Sequence, residues 1–371
     1  MANVLLYATL FFIWMTLFYH AFLMLGGYYY STKYQKFKNR LIHYQGSYPK
    51  VSVLIPAHNE EIVIEETLKA MIELDYPKDK LEVIAINDNS SDRTGSIIDS
   101  YAKRYPFIKA VHTRPPNAGK GKSGALNYGF KHSTGEIIAV YDADNTPEPE
   151  AVRYLAVALC KDRRAGAIVG KFRVVNANKN VLTRFINIET LTFQWLAQAG
   201  RWFWFQLTTI PGTNFAIRRS ILEKLEGWDE KALSEDTELS IRVYNLGYHI
   251  RFFPAAITWE QEPENLKVWW KQRTRWARGN LYVIFKYLLR LQKMKNKKVF
   301  FDLVYFFFMY FLFFGSVLLS HLIFAINLVH DLKLSIGIVS YVLLITGFHF
   351  VSEICLALSL KKNQLTKKIF Y

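Results

Sequence analysis

Two carboxylates spaced two residues apart, Asp142 and Asp144, close an apolar run from Ile137 to Tyr141. Residues at i and i+2 of a strand share a face, and two hard oxygen ligands so placed suit Mg²⁺ or Mn²⁺, which complete their shell with water and phosphate. The same pattern also arises as a solvated turn, here before Pro147. A second acidic pair, Glu235 and Asp236, follows Ser234 at the head of a helix expected to run to Asn245. Locally, Ser234 serves as an N-cap and the acids complement the positive helix end. Gly212, Thr213 and Asn214 lie upstream in Pro211-Gly-Thr-Asn-Phe-Ala, and Gln272-Arg-Thr-Arg-Trp276 lies downstream. Arginine forks match diphosphate oxygens, and an indole face matches a sugar ring or a lipid interface.

These residues need a scaffold. Between Pro49 and about Gly170 short β-branched runs alternate with helical stretches, which predicts an α/β fold with a mostly parallel sheet. The expected strands are Val51 to Ile55, Val83 to Asn87, Ile108 to His112, Ile137 to Tyr141 and Ala167 to Val169. The expected helices are Glu60 to Glu73, Arg93 to Arg104, Gly124 to Lys131 and Pro149 to Lys161. Ligands of such sheets bind beyond the carboxyl ends of the strands. Those ends carry His58, Asn59 and Glu60, then Asp88, then Asp142 and Asp144. Gly119-Lys-Gly-Lys-Ser-Gly124 satisfies GxGxxG, but Pro115, Pro116 and Asn117 separate it from the strand, and proline stands where a GxxxxGKS needs glycine. It reads as a mobile loop whose Lys120 and Lys122 can reach phosphates.

The chain has 371 residues, 47 Lys+Arg against 31 Asp+Glu, a net charge of +16, 51% apolar and 16% aromatic residues. That excludes disorder and low-complexity fibres, and the pairing of basic with apolar content points to a membrane. Residues Val4 to Tyr30 lack any charge and exceed the roughly 20 needed to span a bilayer. A cleaved signal peptide is disfavoured because the basic cluster of Lys33, Lys36, Lys38 and Arg40 follows the apolar run. Leu303 to Val329 and Leu334 to Leu360 are two further spans, joined by a turn at His330, Asp331 and Lys333. They are flanked by Arg290, Lys293, Lys295, Lys297 and Lys298, and by Lys361, Lys362, Lys367 and Lys368. The positive-inside rule then places the middle of the chain in the cytoplasm and the N-terminus outside. Anionic lipid, rather than nucleic acid, accounts for these clusters. Glu353 inside the last span marks either a polar path or helix contact, or an interface residue beside the basic tail. Phe193 to Phe205, with Trp195, Trp202 and Trp204, reads either as an interface helix or as packing against the membrane helices. Cys160 and Cys355 are too few and too far apart for a disulfide framework.

Val51-Ser-Val-Leu-Ile-Pro-Ala-His-Asn-Glu60, Asp88, Asp142-Ala-Asp144, Ser234-Glu-Asp236 and Gln272-x-x-Arg275-Trp276 together resemble family 2 glycosyltransferases, particularly membrane-bound polysaccharide synthases of the poly-N-acetylglucosamine, hyaluronan and cellulose type. The resemblance covers about two thirds of the chain. It implies a GT-A-like sheet with flanking helices, interfacial helices and about three transmembrane helices. The implied division is a transmembrane helix in 1–32, a catalytic domain in 49–260 with an interface helix near 180–206, an interfacial segment in 261–300, and two transmembrane helices with a basic tail in 301–371.

The resemblance also implies roles. Pro56, Glu60, Asp88, Lys122 and Asp142 would hold the nucleotide sugar, and Asp144 a Mg²⁺ or Mn²⁺ ion. Asp236 would be the general base, Arg273 and Arg275 would steady the leaving diphosphate, and Gly212, Thr213, Asn214, Glu235, Gln272 and Trp276 would face the acceptor. Ser234 stands where the family has threonine, which preserves the hydroxyl. One base without a protein nucleophile implies inversion at the anomeric carbon. The expected protein is a plasma-membrane enzyme that extends a β-linked polysaccharide from a UDP-sugar, UDP-N-acetylglucosamine or UDP-glucose, and helps to export it. Three spans are few for a pore, so export would call on a small partner subunit or a second copy. Single transfer to a membrane lipid is the alternative.

Overall fold

Val51–Ala57 and Leu81–Asn87 are mostly aliphatic and buried on both faces, as central parallel strands require. They are β1 and β2 of an eight-stranded sheet completed by β3 (Ile108–His112), β4 (Ile137–Val140), β5 (Thr146–Pro147), β6 (Ala165–Val174), β7 (Phe215–Arg218) and β8 (His249–Glu260). The spatial order is β3-β2-β1-β4-β7-β6-β8-β5. β3, β2, β1 and β4 are parallel, β7 is antiparallel to both β4 and β6, and β8 is parallel to β6 and antiparallel to β5. The helices are α1 (Ala2–Ile42), α2 (Ile64–Ile72), α3 (Thr94–Arg104), α4 (Gly121–Lys131), α5 (Ala151–Lys161), α6 (Val181–Thr192), α7 (Ala199–Phe205), α8 (Arg219–Lys224), α9 (Glu235–Asn245), α10 (Leu266–Leu288), α11 (Lys297–Phe307), α12 (Phe314–Val329) and α13 (Ile336–Ile369).

This computed structural model describes residues 2–42, 44, 46–289, 294, 296–330 and 336–369. Asp331, Lys333, Arg290, Lys293 and Lys295 lie outside the described residues, as do the side chains of Lys361, Lys362, Lys367 and Lys368. Two compact units emerge: Lys33–Thr190 with Gln206–Val283, and Met1–Thr32 with Leu191–Phe205 and Ile284–Tyr371.

In the first unit the sheet is the α/β core expected from sequence, with differences at its ends. β6 runs two residues before and five residues beyond its predicted tripeptide, and β7 and β8 were not foreseen. β7 has four residues and β8 carries Pro254, so neither shows a clean strand pattern. The strand before Asp142 ends at Val140, so Asp142 and Asp144 lie on a turn rather than on one face of a strand. The Asn145 N–H bonds to the Asp142 carbonyl at 3.1 Å, and the Thr67 hydroxyl holds the Ala143 carbonyl at 2.6 Å. At the opposite ends of the strands buried Glu82 accepts from Ser52 Oγ at 2.5 Å, Lys109 Nζ at 2.7 Å and the Gly135 N–H at 3.1 Å, knitting β1, β2 and β3 to the turn before β4.

Among the described residues two helical stretches are long and apolar enough to cross a membrane: Asn3–Ile42, of which the part up to Thr32 belongs to the second unit, and Lys297–Asn327, which lies within that unit. The third predicted span falls on α13, where the described apolar stretch is Leu344–Leu360. Residues Phe193–Gln198 form a π-helical segment that joins α6 to α7. Trp195 and Trp202 are buried, and Trp204 Nε1 donates to the Phe22 carbonyl of α1 at 2.8 Å. A Cβ at Gly200 would stand 2.2 Å from the Leu23 carbonyl oxygen, so glycine permits direct backbone contact between these helices. That is the packing reading of the aromatic stretch. Glu353 is likewise buried as a helix contact, with His349 Nε2 at 3.1 Å and His20 Nδ1 of α1 at 3.7 Å. Arg201 of α7 pairs with Asp302 of α11.

Candidate active site

The carboxyl ends of β1 and β2 are stitched together first. The Asp88 N–H donates to the Ala57 carbonyl at 2.8 Å, and Asn59 Oδ1 accepts the Ser91 N–H at 2.9 Å. Asn59 itself sits at φ 57°, a left-handed conformation that asparagine tolerates. Asp88 is nearly buried and accepts the Thr113 hydroxyl at 2.5 Å and the Gly119 N–H at 3.4 Å. The loop after β3 is thereby folded back over the strand ends, and Lys122 follows in the first turn of α4. That helix begins at Gly121, three residues earlier than expected.

Lys122 is the hub. Its Nζ pairs with Asp142, donates to the Gly212 carbonyl at 3.0 Å, and lies 3.9 Å from Glu235 Oε1. Burial would lower its pKa, but Asp142 and Glu235 outweigh it and hold the ammonium more firmly charged. Gly212 adopts φ 88°, and a Cβ there would stand 3.0 Å from Asp236 Oδ2 and 3.4 Å from Lys122 Nζ. Glycine at 212 therefore keeps open the narrow space between Asp236 and Lys122. Thr213 Oγ1 accepts the Asp142 N–H at 3.1 Å and donates to Asn145 Oδ1 at 2.9 Å, and Asn145 Nδ2 donates to Asp144 Oδ1 at 3.0 Å. Asn214 is fully buried at φ 48°, with Nδ2 donating to the carbonyls of Lys171 and Ala256. It is thus a structural pin for the loop rather than a group on the cleft surface, as sequence had placed it.

Ser234 occupies the N-cap position of α9, but its hydroxyl makes no bond to the backbone N–H groups of the first turn. It donates instead to Asp236 Oδ1 at 2.9 Å, and the same oxygen accepts the Thr237 N–H at 2.6 Å. Asp236 therefore performs the capping expected of Ser234, and its Oδ1 is tied down on the side away from Gly212. α10 packs on this turn: a Cβ at Gly279 would come within 2.8 Å of Ser234 Cβ, and Thr237 Oγ1 donates to Asn280 Oδ1 at 3.3 Å. The segment Gln272 to Trp276 lies one to two turns earlier on that helix. Arg273 Nη2 is held by Glu189 Oε2 at 2.6 Å, its Nη1 donates to Gln272 Oε1 at 3.2 Å, and its guanidinium stacks 4.1 Å over Trp276. Arg275 and Trp276 are exposed. Arg273 is thus committed to Glu189 and Trp276, so diphosphate contact by Arg273 and Arg275 stays an expectation from sequence.

The site carries more acid than base. Burial, and then the charges of Asp144 and Asp142, raise the pKa of Glu60. Burial followed by Asp142 raises Asp144, and burial followed by Asp236 raises Glu235. Glu260, at the end of β8, is pushed well above the carboxylate range by burial, then by Glu262, Asp144 and Asp142. Burial also raises Glu262, opposed by Arg273. Glu260 and Glu262 were missed in the sequence because no strand was expected to end there. The one available signal was Trp259-Glu-Gln-Glu262, a pair of acids just ahead of the arginine segment. Burial and the neighbouring carboxylate make Asp144 reluctant to hold its charge, a setting that a divalent cation relieves, and Asp142 and Asp144 offer the hard oxygen ligands that fit Mg²⁺ or Mn²⁺. Among the described residues no group of three or more His, Cys, Asp or Glu side chains is arranged to chelate an ion unaided.

A sequence profile described as "Glycosyltransferase like family 2" matches residues 49–279. The chain is 60% identical over all its length, and 89% of the relative's, to the probable glycosyltransferase YdaM of Bacillus subtilis strain 168. It is 30% identical to the poly-beta-1,6-N-acetyl-D-glucosamine synthase of Staphylococcus epidermidis, over 73% of this chain and 66% of that one. It is 33% identical to the beta-monoglucosyldiacylglycerol synthase of Trichormus variabilis, over 72% and 57%. In fold it is similar to a mannosyltransferase from Pyrobaculum calidifontis solved with GDP-Man and Mn²⁺, at a TM-score of 0.65 and 21% identity over 94% of this chain and 99% of that one. With the sheet and the acidic cleft already in view, these matches settle the classification: the chain belongs to glycosyltransferase family 2 and is a glycosyltransferase with a GT-A-like fold.

Proposed function

We propose that the protein transfers a sugar from a UDP-sugar, with inversion, to the end of a β-linked polysaccharide at the inner face of the plasma membrane. The observation that carries this reading is the convergence on Gly212: the Asp236 carboxylate, the Lys122 ammonium and, through Lys122, Asp142 all meet around one residue without a side chain. A donor diphosphate held over Asp142 and Lys122 would present its anomeric carbon across that gap to an acceptor hydroxyl beside Asp236. With Oδ1 already engaged by Ser234 and Thr237, Oδ2 is the oxygen free to take the hydroxyl proton. Asp88, held by Thr113, would receive the nucleoside. Asp142 and Asp144 would hold a Mg²⁺ or Mn²⁺ ion, which supplies positive charge against the departing diphosphate. Gln272 and Trp276 would face the acceptor, with Arg275 and Arg273 toward the diphosphate side.

Three membrane spans with the N-terminus outside, a cytoplasmic catalytic domain, the segment boundaries given above, and a partner subunit or second copy completing an export path belong to the same reading. The relatives named for polymer and for glycolipid synthesis are similar to this chain to a like degree, so single transfer to a lipid is the second reading. Incubating the purified full chain in lipid with labelled UDP-N-acetylglucosamine or UDP-glucose tests both. Long products support polymer synthesis, a single sugar on lipid supports the second reading, and release of no UDP from any UDP-sugar overturns both.

A further inference from the structure

We propose that Lys122 is an internal counter-ion that withholds Asp142 from the divalent cation until the donor diphosphate draws the ammonium away. The inference rests on the donor-site reading above and goes beyond it, because it assigns one side chain two successive partners and predicts coupling between metal and nucleotide.

Three observations carry it. First, Lys122 Nζ lies against Asp142 and within reach of Glu235, inside a cleft that also gathers Glu60, Asp144, Asp236 and Glu260. It is a cation placed at one of the two aspartates suited to metal. Second, that ammonium donates to the Gly212 carbonyl and lies beside Asp236 across the glycine, so its position is shared with the acceptor side of the cleft. Third, the backbone of Lys122 is anchored in the first turn of α4, while its half-buried side chain is held at the ammonium by Asp142 and the Gly212 carbonyl, so a change of partner is a movement of the side chain alone. A carboxylate already paired with an ammonium binds a second cation only at the expense of that pair. A diphosphate offers the ammonium a more charged acceptor than one carboxylate, so nucleotide binding frees Asp142 for the metal. By linkage, whatever factor the nucleotide adds to metal affinity the metal adds to nucleotide affinity.

The test measures Mn²⁺ binding to the full chain in detergent by the loss of the free-ion EPR signal without nucleotide, and separately UDP binding in the presence of EDTA. The proteins compared are the wild type, Lys122→Gln and Lys122→Arg. The expected result is opposite shifts in Lys122→Gln: Mn²⁺ alone binds about tenfold tighter or more, and UDP without metal binds about tenfold weaker or more. Lys122→Arg, which keeps the charge, stays near the wild type in Mn²⁺ affinity. Equal or weaker Mn²⁺ binding by Lys122→Gln overturns the proposal, and a merely structural lysine would weaken both ligands together. Should Lys122→Gln fail to fold, Lys122→Arg with Mn²⁺ affinity at least about tenfold tighter than wild type would overturn it equally. If wild type and variants bind neither Mn²⁺ nor UDP, the donor-site reading itself falls. If they bind both without the opposite shifts, that reading stands and the counter-ion role falls.

Discussion

Thr213 Oγ1 donates to Asn145 Oδ1 at 2.9 Å while accepting the Asp142 N–H at 3.1 Å, so one hydroxyl of the Pro211 to Asn214 loop clamps the turn that bears both metal-type aspartates. Asn145 is almost fully buried and passes the constraint to Asp144 through its amide. Thr213→Val keeps the shape but leaves the Asp142 N–H without its acceptor and the Asn145 carbonyl with only the longer bond from Thr258 at 3.5 Å, at about 1–3 kcal/mol. The expected outcome is a fall in kcat of about 10- to 100-fold, at a tenfold per 1.4 kcal/mol, with Thr213→Ser retaining most of the activity. Steady-state UDP release by the two variants checks it. Loss in Thr213→Ser with Thr213→Val near wild type would show that the methyl group, and not the hydroxyl, matters.

Asp236→Asn is isosteric and can still accept the Ser234 hydroxyl and the Thr237 N–H through its carbonyl oxygen, so the turn at the start of α9 survives. What is lost is the second oxygen, beside Gly212. Removal of a positioned general base costs about 10²–10⁴ in rate. Turnover should fall by that factor with UDP affinity within about twofold of wild type, since the proposed function assigns the nucleotide to Asp88 and Lys122 instead. Substantial turnover in Asp236→Asn would place the base elsewhere, with Glu235 the next nearest carboxylate to Lys122.

Chelation should stop UDP release, and added Mn²⁺ or Mg²⁺ should restore it, because Asp142 and Asp144 offer oxygen ligands only and the leaving group is a polyanion. Asp144→Asn should lower activity by about 10²-fold or more and raise the metal concentration needed for half-maximal rate. Undiminished turnover in excess EDTA would remove the metal from the reaction.

The parallel half of the sheet could be read in advance because β1, β2 and β4 are buried on both faces, and burial on both faces writes itself as a run dominated by aliphatic residues. Acidic residues at the ends of those runs were legible for the same reason. β7 and β8 were not, since four residues in one and a proline in the other hide the pattern. Losing the end of β8 hid Glu260 and Glu262 with it. The role exchange between Ser234 and Asp236 was also out of reach, because both are good capping residues and only the tertiary fold decides which oxygen meets the N–H. The motif around Asn214 predicts an acceptor contact, whereas in the fold its amide donates to two main-chain carbonyls.

Gly200 offers a test of the helical unit by itself. A Cβ there would meet the Leu23 carbonyl at 2.2 Å, so Gly200→Val forces α1 and α7 apart and strips Trp204 from the Phe22 carbonyl. Overpacking of this kind costs about 1–3 kcal/mol. The expected outcome is a lower melting temperature in detergent, with the near-ultraviolet signal of the tryptophans changed. An unchanged melt would mean that this helix contact does not contribute to stability.

Glu82 supplies a pH-dependent part of the stability of the sheet, and its sign follows from its partners. Burial raises the carboxyl, but Lys109, Ser52 and the Thr134 groups overcome burial and bring its pKa down to about 2 from 4.5. A folded value below the unfolded one means that the unfolded chain binds more protons in between. The contribution is therefore complete above about pH 4.5 and is lost as pH falls toward 2. Its size at neutral pH is about 2 kcal/mol after allowance for the half-exposed Lys109 partner. Glu82→Gln should accordingly lower the urea midpoint at pH 7 and differ progressively less from wild type as pH drops from 5 to 3. A gap between the two proteins that stayed constant over that range would show that Glu82 acts through its shape and not through its charge.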